Sequence, residues 1–430
     1  MFLTTELIAN LGVDVWKALA VAWLIVPFVL AYLAISLWKI YIVQEKIKSI
    51  DWVLLEIKNP NDIDKSPKVA EQMFAGLHGA LIPLTWKEKF FKGNITKWFS
   101  LEIVGSSGGI NFFIRTPQEL RNLVEAQVFA QYPEAEIVEV EDYINNFPEI
   151  IPDEDYNLWG CEFKLVKDDV YPIVTYSEFE QAGTSEDIKN IDPLASFTDV
   201  LSRLRSGENI WIQFLIQPTG PEVNDNWRKE GEAIINKLMG REDKKEASLV
   251  QSFVKSLDSG INSAFGVEVK KEEKKDQKQQ FLSASEDEIA KAINRSISKL
   301  GFRSGIRFGY IANKEVFSMS HVSGVMGAFK QFASQNLNAF KPAKITGGRG
   351  WLPFFFPSDK GFFSDNETDF KKKRHFRLLR DRGLPLEKQF ILNTEELATL
   401  FHLPSSYVQT PLIPRVQSKR SQSPSQLPIK

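Results

Sequence analysis

From residue 51 onward, hydrophobic and polar positions recur with the period of a strand or of a helix, in a regular order. The order is strand, helix, strand, strand, helix, strand, over residues 52–57, 67–81, 98–104, 110–115, 117–131 and 136–140. Ser66 and Thr116 stand where the N-caps of the two helices are expected, and Glu119 would complete a capping box with Thr116. This order is typical of the ferredoxin-like fold, so we predict an α+β domain of that type over residues 50–145.

A second, less regular series follows. Its predicted elements are strands or hairpin segments at 161–166 and 170–176, a helix at 193–204, strands at 209–217 and 302–312, a helix at 316–333 and a strand at 339–345. We predict a second, tandem ferredoxin-like (βαββαβ) domain over residues 158–346, interrupted by a long charged insertion over 221–300. Helices at 227–239 and 286–300 begin and end the insertion, and Ser285 with Glu288 forms the predicted capping box of the second.

One stretch near the N-terminus departs from this pattern because it is apolar throughout. Ala18–Trp38 contains no charged residue, and as a helix it is long enough to cross the ~30 Å hydrocarbon core of a bilayer. We therefore predict a single membrane anchor within residues 1–48. A cleaved signal peptide and a buried core helix are the alternatives. The predicted membrane-interface residues are Trp16, Lys17, Trp38, Lys39 and Tyr41.

The charges on either side of this stretch predict its orientation. Glu6 and Asp14 precede it with one lysine, Lys17, whereas Lys39, Lys46 and Lys48 follow it. Positive charge concentrates on the cytoplasmic side of membrane helices. We therefore expect a single-pass protein of the bacterial inner membrane, with lipid around the anchor and the bulk of the chain in the cytoplasm.

Composition excludes several classes of site. The chain has 430 residues with one cysteine and four histidines, so a disulfide scaffold and a multi-cysteine metal site are excluded. Cys161 lies in a strand pattern and is interpreted as an inert buried thiol. None of the 25 glycines is followed by lysine, so the chain lacks the standard phosphate-binding loop. We predict no catalytic, cofactor-binding or metal-binding residue, no cofactor, and no enzymatic activity.

The near-neutral net charge of −2 hides a strongly basic C-terminal part. Residues 371–430 contain twelve Lys and Arg against four Asp and Glu, and the aromatic run 351–363 precedes them. Such a segment can bind a nucleic acid, bind anionic lipid, or pack against an acidic neighbouring domain. The predicted contacts with an anionic partner are Lys371, Lys372, Lys373, Arg374, Arg377, Arg380 and Arg382.

The remaining C-terminal residues divide into two parts. Phe390–Leu403 reads as a strand-like start followed by a short helix capped by Asn393 or Thr394. With the basic and aromatic residues before it, this part makes up a predicted segment 347–403 ending in a docking helix. The Pro- and Ser-rich residues 404–430 have the composition of a flexible linker.

Two parts of the chain resemble a known family. The first comprises residues 52–79 and 115–143, and the second comprises FILNTEELATLFHLP at 390–404 with the tail SKR…PSQLPI at 418–429. Together they are similar to the region ahead of the motor domain in bacterial type IV secretion and conjugation ATPases, of the TraG and HerA/FtsK-like superfamily. The resemblance implies a membrane-proximal part of a transfer ATPase without its nucleotide-binding core. No catalytic residue of that family maps onto this sequence.

We therefore expect a non-enzymatic, membrane-anchored subunit, or N-terminal portion, of a type IV secretion or conjugative DNA-transfer complex. Its expected partners are a separately encoded ATPase motor, DNA, membrane lipid and further copies of itself. The alternative is a membrane scaffold that organises oligomers or anionic lipid and has no role in DNA transfer.

Overall fold

The computed structural model describes residues 2–60, 65–181, 192–223, 225–239, 283–346, 362–384, 389–405 and 415–416. The helices are α1 Phe2–Lys48, α2 Lys68–Leu77, α3 Trp86–Phe91, α4 Arg121–Gln131, α5 Tyr176–Gln181, α6 Ala195–Ser202, α7 Trp227–Leu238, α8 Ala284–Ile297, α9 Met319–Lys330, α10 Phe362–Asp381 and α11 Thr394–Leu400. The strands are β1 Trp52–Pro60, β2 Phe99–Ser106, β3 Gly109–Pro117, β4 Glu136–Val140, β5 Tyr156–Leu165, β6 Glu208–Thr219, β7 Gly301–Asn313, β8 Phe340–Ala343, β9 Phe390–Asn393 and β10 Arg415–Val416.

The chain divides into two compact units. The first consists of residues 1–51 and 82–96 and contains α1 and α3. Within α1, Val26–Lys48 is long and apolar enough to cross a membrane, and none of this stretch is buried. Pro27 lies inside the helix, where a membrane helix tolerates it.

The second unit consists of residues 52–81 and 97–430 and is built on one large sheet. Among the described residues the strand order is β4-β1-β3-β2-β6-β7-β5-β8, with every neighbouring pair antiparallel. β9 adds to β7, and β10 pairs in parallel with the end of β1. The fold is therefore α+β around an antiparallel sheet.

The ladder between β2 and β6 joins the two halves of the sheet. Eight residue pairs form this ladder, from Phe99 opposite Ile216 to Ser106 opposite Asn209. Moving outward from it, each half presents its second, third, first and fourth strand in chain order. The two predicted series thus occupy opposite ends of one sheet. The domain limits 50–145 and 158–346 stay predictions, since no break in hydrogen bonding separates the halves.

Most helices cover one face of this sheet. Neighbouring residues on a strand point to opposite faces, so Phe112 and Ile114 belong to the larger core while Phe113 belongs to a smaller core on the other face. Residues of α2, α4, α6, α9 and α11 complete the larger core. α7 and α8 pack against each other in a third cluster with Trp227 and Ile391.

α10 covers the other face. Phe376 and Leu379 pack with Trp211 and Ile311 in the smaller core. The His375 ring lies over Gly160 of β5, and its Nε2 is 2.9 Å from the Phe308 carbonyl oxygen of β7.

Several predicted boundaries were wrong, for local reasons. Thr116 does not cap a helix: it pairs with Val53 in the sheet and is buried, and α4 begins at Arg121. The capping box of α8 uses Ser283 and Glu286, two residues before the predicted pair, because Ser283 accepts the Glu286 N–H and Glu286 accepts the Ser283 N–H. Residues 170–175 form turns and coil where strand material was predicted.

The close approach of α10 to the sheet depends on Gly160. A Cβ there would lie 2.3 Å from His375 Cδ2 and 2.7 Å from the Phe308 carbonyl oxygen, and neither the ring nor the strand can move freely. We expect Gly160→Ala to lower the free energy of unfolding by about 1–3 kcal/mol through overpacking. Urea denaturation of the full chain in detergent measures this.

A matched control is available in α9. A Cβ at Gly327 meets nothing within 4 Å, and alanine is a better helix former than glycine. Gly327→Ala should therefore raise the free energy of unfolding by about 0.5–1 kcal/mol. Equal effects of the two substitutions would contradict the proposed packing.

Candidate functional site

Six of the seven residues predicted to contact an anionic partner lie on helix α10, and the seventh, Arg382, follows its last residue. The phase of the helix divides the seven residues between an outward and a buried side. Lys371, Lys373, Arg374, Arg377 and Arg380 are exposed, Lys372 is half-buried, and Arg382 is buried. The buried side continues the stripe of His375, Phe376 and Leu379. That spacing of three and four residues is the period of one helix face, and it is the sequence signal that could have separated the two groups.

Arg382 was wrongly predicted as a contact for an external anion. Its guanidinium is 1% exposed and lies between two carboxylates: Nε is 2.6 Å from Glu102 Oε1, and Nη1 is 2.5 Å from Asp142 Oδ2. Nη2 reaches the second oxygen of each carboxylate, at 3.1 Å and 2.9 Å. The guanidinium also lies 5.1 Å from the ring centre of Tyr143. Arg382 therefore ties the end of α10 to β2 and to the segment after β4.

Electrostatics around Arg382 follow from this arrangement. Burial opposes the charge on Arg382, but Glu102 and Asp142 outweigh it, so its pKa is raised well above the usual value. Burial likewise opposes the Asp142 carboxylate, and Arg382 outweighs it, so the pKa of Asp142 is lowered. Burial and the charge of Arg382 lower the pKa of the neighbouring Arg115 to about 10.

Among the described residues, the outward side of α10 carries both paired and unpaired cations. Lys373, Arg374 and Arg377 make no ion pair with any other described residue. Lys371 pairs with Glu367 at 2.5 Å, and Arg380 donates to the Glu149 carbonyl at 3.0 Å. Lys372 donates to Asn157 at 2.8 Å. The surface formed by Lys373, Arg374 and Arg377, which we call the cationic face, is therefore the part of the predicted set that is available to a partner.

A small cleft of about 240 Å³ lies beside the cationic face, lined by Lys344, Lys371 and Arg374. Glu162 lies at its base, with Lys344 Nζ at 2.9 Å and Arg307 Nε at 3.2 Å. Burial opposes the Glu162 carboxylate, but Lys344 and Arg307 outweigh it and lower its pKa. The carboxylate of Glu162 thus partly balances the positive charges of the lysine and arginine side chains at this cleft.

The residues predicted at the membrane interface lie on α1. Trp38 and Tyr41 are exposed, with ring centres 6.2 Å apart, and Lys39 Nζ lies 5.1 Å from the ring centre of Phe90. Trp16 and Lys17 lie within α1, and their side chains fall outside the described residues.

The predicted docking helix is not a docking surface. Every residue of α11 is buried, because the helix packs in the larger core beside α2. A docking role was expected for this helix, although its apolar residues are those of a core helix. Residues 347–350 of the predicted segment and residues 351–361 of the aromatic run lie outside the described residues, as do residues 406–414 and 417–430 of the predicted linker.

A charge cluster that the sequence did not indicate surrounds the buried Glu395 of α11. Arg295 Nη2 and Lys299 Nζ lie 2.7 Å and 2.8 Å from its carboxylate, and the hydroxyls of Thr175 and Ser177 donate to it. The next residue, Glu396, accepts backbone N–H groups from Ile173 and Asn393. Burial raises the pKa of Glu396 to about 8. Apart from Asn393, the partners of Glu395 and Glu396 come from α8, from Lys299 just after it, and from residues 173–177. The cluster therefore fixes α11 in the core.

Candidate chemistry is sparse in the part of the chain that the structure describes. No group of three or more His, Cys, Asp or Glu there could hold a metal ion. Cys161 is buried, and burial raises the pKa of its thiol. Asp153, in the acidic run between the halves, accepts the N–H groups of Asp155 and Tyr156 and so stabilises a turn.

We expect Arg382→Met to destabilise the fold by about 3–5 kcal/mol, because it leaves Glu102 buried without its cation. Arg377→Met makes the same chemical change on the exposed side and should alter stability by no more than about 0.5 kcal/mol. Urea denaturation of both full-length variants tests this, and a similar small effect of both would contradict the structural role of Arg382.

The free energy of unfolding should depend on pH because His375 is buried. Burial is the main reason that its pKa is lowered to about 4, and the charge of Arg307 acts in the same direction. The unfolded chain therefore binds a proton between pH 6.5 and 4 that the folded protein excludes. We expect the free energy of unfolding to fall by about 2 kcal/mol between pH 7 and pH 5. In a His375→Gln variant this part of the dependence should disappear, and an unchanged pH profile would contradict the assignment.

Comparison with known proteins gives a family and no function. Residues 43–415 match the family described as Domain of unknown function (DUF8128), and a comparison with curated proteins found no match. The matched range contains the whole antiparallel sheet except the last residue of β10, together with α10 and its cationic face. The chain therefore belongs to the DUF8128 family.

Proposed function

We propose that the protein is a non-enzymatic, membrane-anchored assembly module of a bacterial type IV secretion or conjugative DNA-transfer complex. In this proposal α1 spans the inner membrane once and the sheet unit lies in the cytoplasm. The charge-free run 18–38 supports the anchor by its length. The exposure of the helix supports it too, since none of Val26–Lys48 is buried and a core helix of that length would be. The lysines after residue 38 support the orientation.

The proposed architecture consists of two tandem ferredoxin-like repeats joined through their second strands. The strand order supports it: each half places its fourth, first, third and second strand side by side, with antiparallel neighbours. A double repeat of this kind offers a broad sheet surface, which suits a subunit that assembles with copies of itself and with a separately encoded ATPase motor.

The cationic face of α10 carries the proposed DNA contact. Lys373, Arg374 and Arg377 are held on a helix whose opposite side is fixed to the sheet by Phe376, Leu379 and Arg382. Because the helix is fixed, its backbone does not have to be ordered when a partner binds, and only the side chains of these three cations lose conformational freedom. An array of unpaired lysine and arginine side chains suits the phosphates of a nucleic-acid backbone.

The test is a charge reversal on this face. The full chain in lipid nanodiscs is titrated with duplex DNA over a range of salt concentrations. We expect Lys373→Glu, Arg374→Glu and Arg377→Glu together to weaken binding at low salt at least tenfold, and to reduce the slope of log K against log salt by about 3, one for each lost phosphate contact.

The matched control reverses three exposed cations of α7, with Arg228→Glu, Lys229→Glu and Lys237→Glu. It changes the net charge equally and should leave most of the DNA affinity intact. Equal losses in both triple variants would show a general charge effect. Binding of the wild-type chain to anionic vesicles but not to DNA would favour the alternative, a membrane scaffold with no role in DNA transfer.

A further inference from the structure

Helix α3, in the same compact unit as α1, exposes large apolar side chains to an unusual extent. Trp86 and Phe91 are 66% and 62% exposed, and Ile82, just before the helix, is 58% exposed. Trp86 stacks on Phe90 at 5.0 Å between ring centres, and Phe91 lies edge-on to both rings. A contiguous exposed aromatic patch of this kind marks a surface that meets something other than water.

The local sequence holds this short helix in place. Thr85 accepts the Glu88 N–H while Glu88 accepts the Thr85 N–H, a complete capping box. Gly93, just beyond the helix, has a left-handed φ of 63°, and a Cβ there would lie 2.6 Å from the Ile42 carbonyl oxygen. Glycine is therefore needed both for the backbone conformation and for the close approach to α1.

This approach sets the level of α3 along α1. Gly93 meets Ile42, and Lys39 Nζ lies 5.1 Å from the ring centre of Phe90. Residues 39–42 come directly after the charge-free run that ends at Trp38, in the part of α1 where the exposed rings of Trp38 and Tyr41 lie. The aromatic residues of α3 thus add to those of α1 at the level where a membrane helix meets the headgroups.

The charges around the patch fit an anionic surface. Lys87, Lys89 and Lys92 are exposed around the aromatic residues, and Glu88 is engaged in the capping box. Aromatic rings with flanking lysines match an interfacial segment on a membrane that contains anionic lipid.

We propose that α3 and Ile82 lie in the lipid–water interface of an anionic membrane and form a second attachment beside the α1 anchor. This inference rests on the proposed membrane anchor. The aromatic side chains enter the headgroup region, and Lys89 and Lys92 contact lipid phosphates. Two attachments would hold this unit at a fixed height on the membrane, whereas a single helix would leave it free to tilt.

The test uses the full chain in vesicles with nitroxide-labelled headgroups. A fluorophore is attached through Lys87→Cys or Tyr41→Cys in a Cys161→Ala background, and its quenching is compared with that in unlabelled vesicles of the same composition. In vesicles containing phosphatidylglycerol, we expect both positions to be quenched to a similar degree. Trp86→Ser with Phe91→Ser should remove the quenching at position 87 and leave that at position 41.

The label at position 41 separates the hypothesis of a membrane anchor from the hypothesis that α3 lies in the membrane interface. Quenching at 41 without quenching at 87 would overturn the interfacial role of α3 and leave the anchor intact, and it would point to a protein partner for the aromatic patch. Absence of quenching at both positions would overturn the anchor and, with it, this inference. Quenching at 87 that persists without the aromatic residues would also overturn it. Replacing phosphatidylglycerol by phosphatidylcholine should reduce quenching only at 87, and an unchanged signal would contradict the role of anionic lipid.

Discussion

The antiparallel ladder between β2 and β6 is the constraint on which the rest of the sheet unit depends. It places Glu102 opposite Gln213 on the face that α10 covers, and Leu101 opposite Phe214 on the face that the other helices cover. Glu102 then binds Arg382, and Gln213 donates to the Leu379 carbonyl. A slip of one residue in either strand would turn the polar side chain of that strand into the larger core and turn an apolar one toward α10. The ladder register and the position of α10 are therefore fixed together.

Arg382 illustrates why a buried charge is kept in such a structure. Removing a guanidinium and two carboxylates from water is costly, and a buried ion pair often contributes little net stability over an apolar replacement. Its contribution here is positional. The two carboxylates come from β2 and from the segment after β4, and the cation comes from the end of a helix 240 residues further along the chain. Only one arrangement satisfies all three groups.

The sequence pattern predicted much of the local structure and little of its assembly. Period-2 and period-3.6 patterns located β1, β2, β3 and β6 within a few residues, because each strand buries at least one face. The joining of the halves into one sheet could not be predicted, since pairing between Phe99 and Ile216 depends on residues more than 100 positions apart. Thr116 was misassigned because a strand end before proline and a helix N-cap favour the same residue type.

Prediction of the candidate site from the sequence was limited in the same way, as the basic segment shows. Counting charges gave seven equivalent cations, whereas the helix phase divides them into an inward and an outward group. Phe376 and Leu379 fix that phase, and they were available in the sequence. The ion pair of Arg382 with Glu102 could not be predicted from the sequence, because nothing near either residue indicates the other.

The aromatic residues of α3 were missed for a different reason: in sequence they resemble an ordinary loop between two elements.

The late position of α10 and α11 has a consequence for how the protein is made. Translation delivers α1 before the sheet, and residues 362–400 emerge only when most of the sheet has been synthesised. Until then Trp211 and Ile311 have no helix to cover them, and the larger core lacks Leu397 and Leu400. A ribosome that has completed β7 therefore holds a sheet with one face open to solvent. The nascent chain must keep that face from aggregating until α10 and α11 arrive.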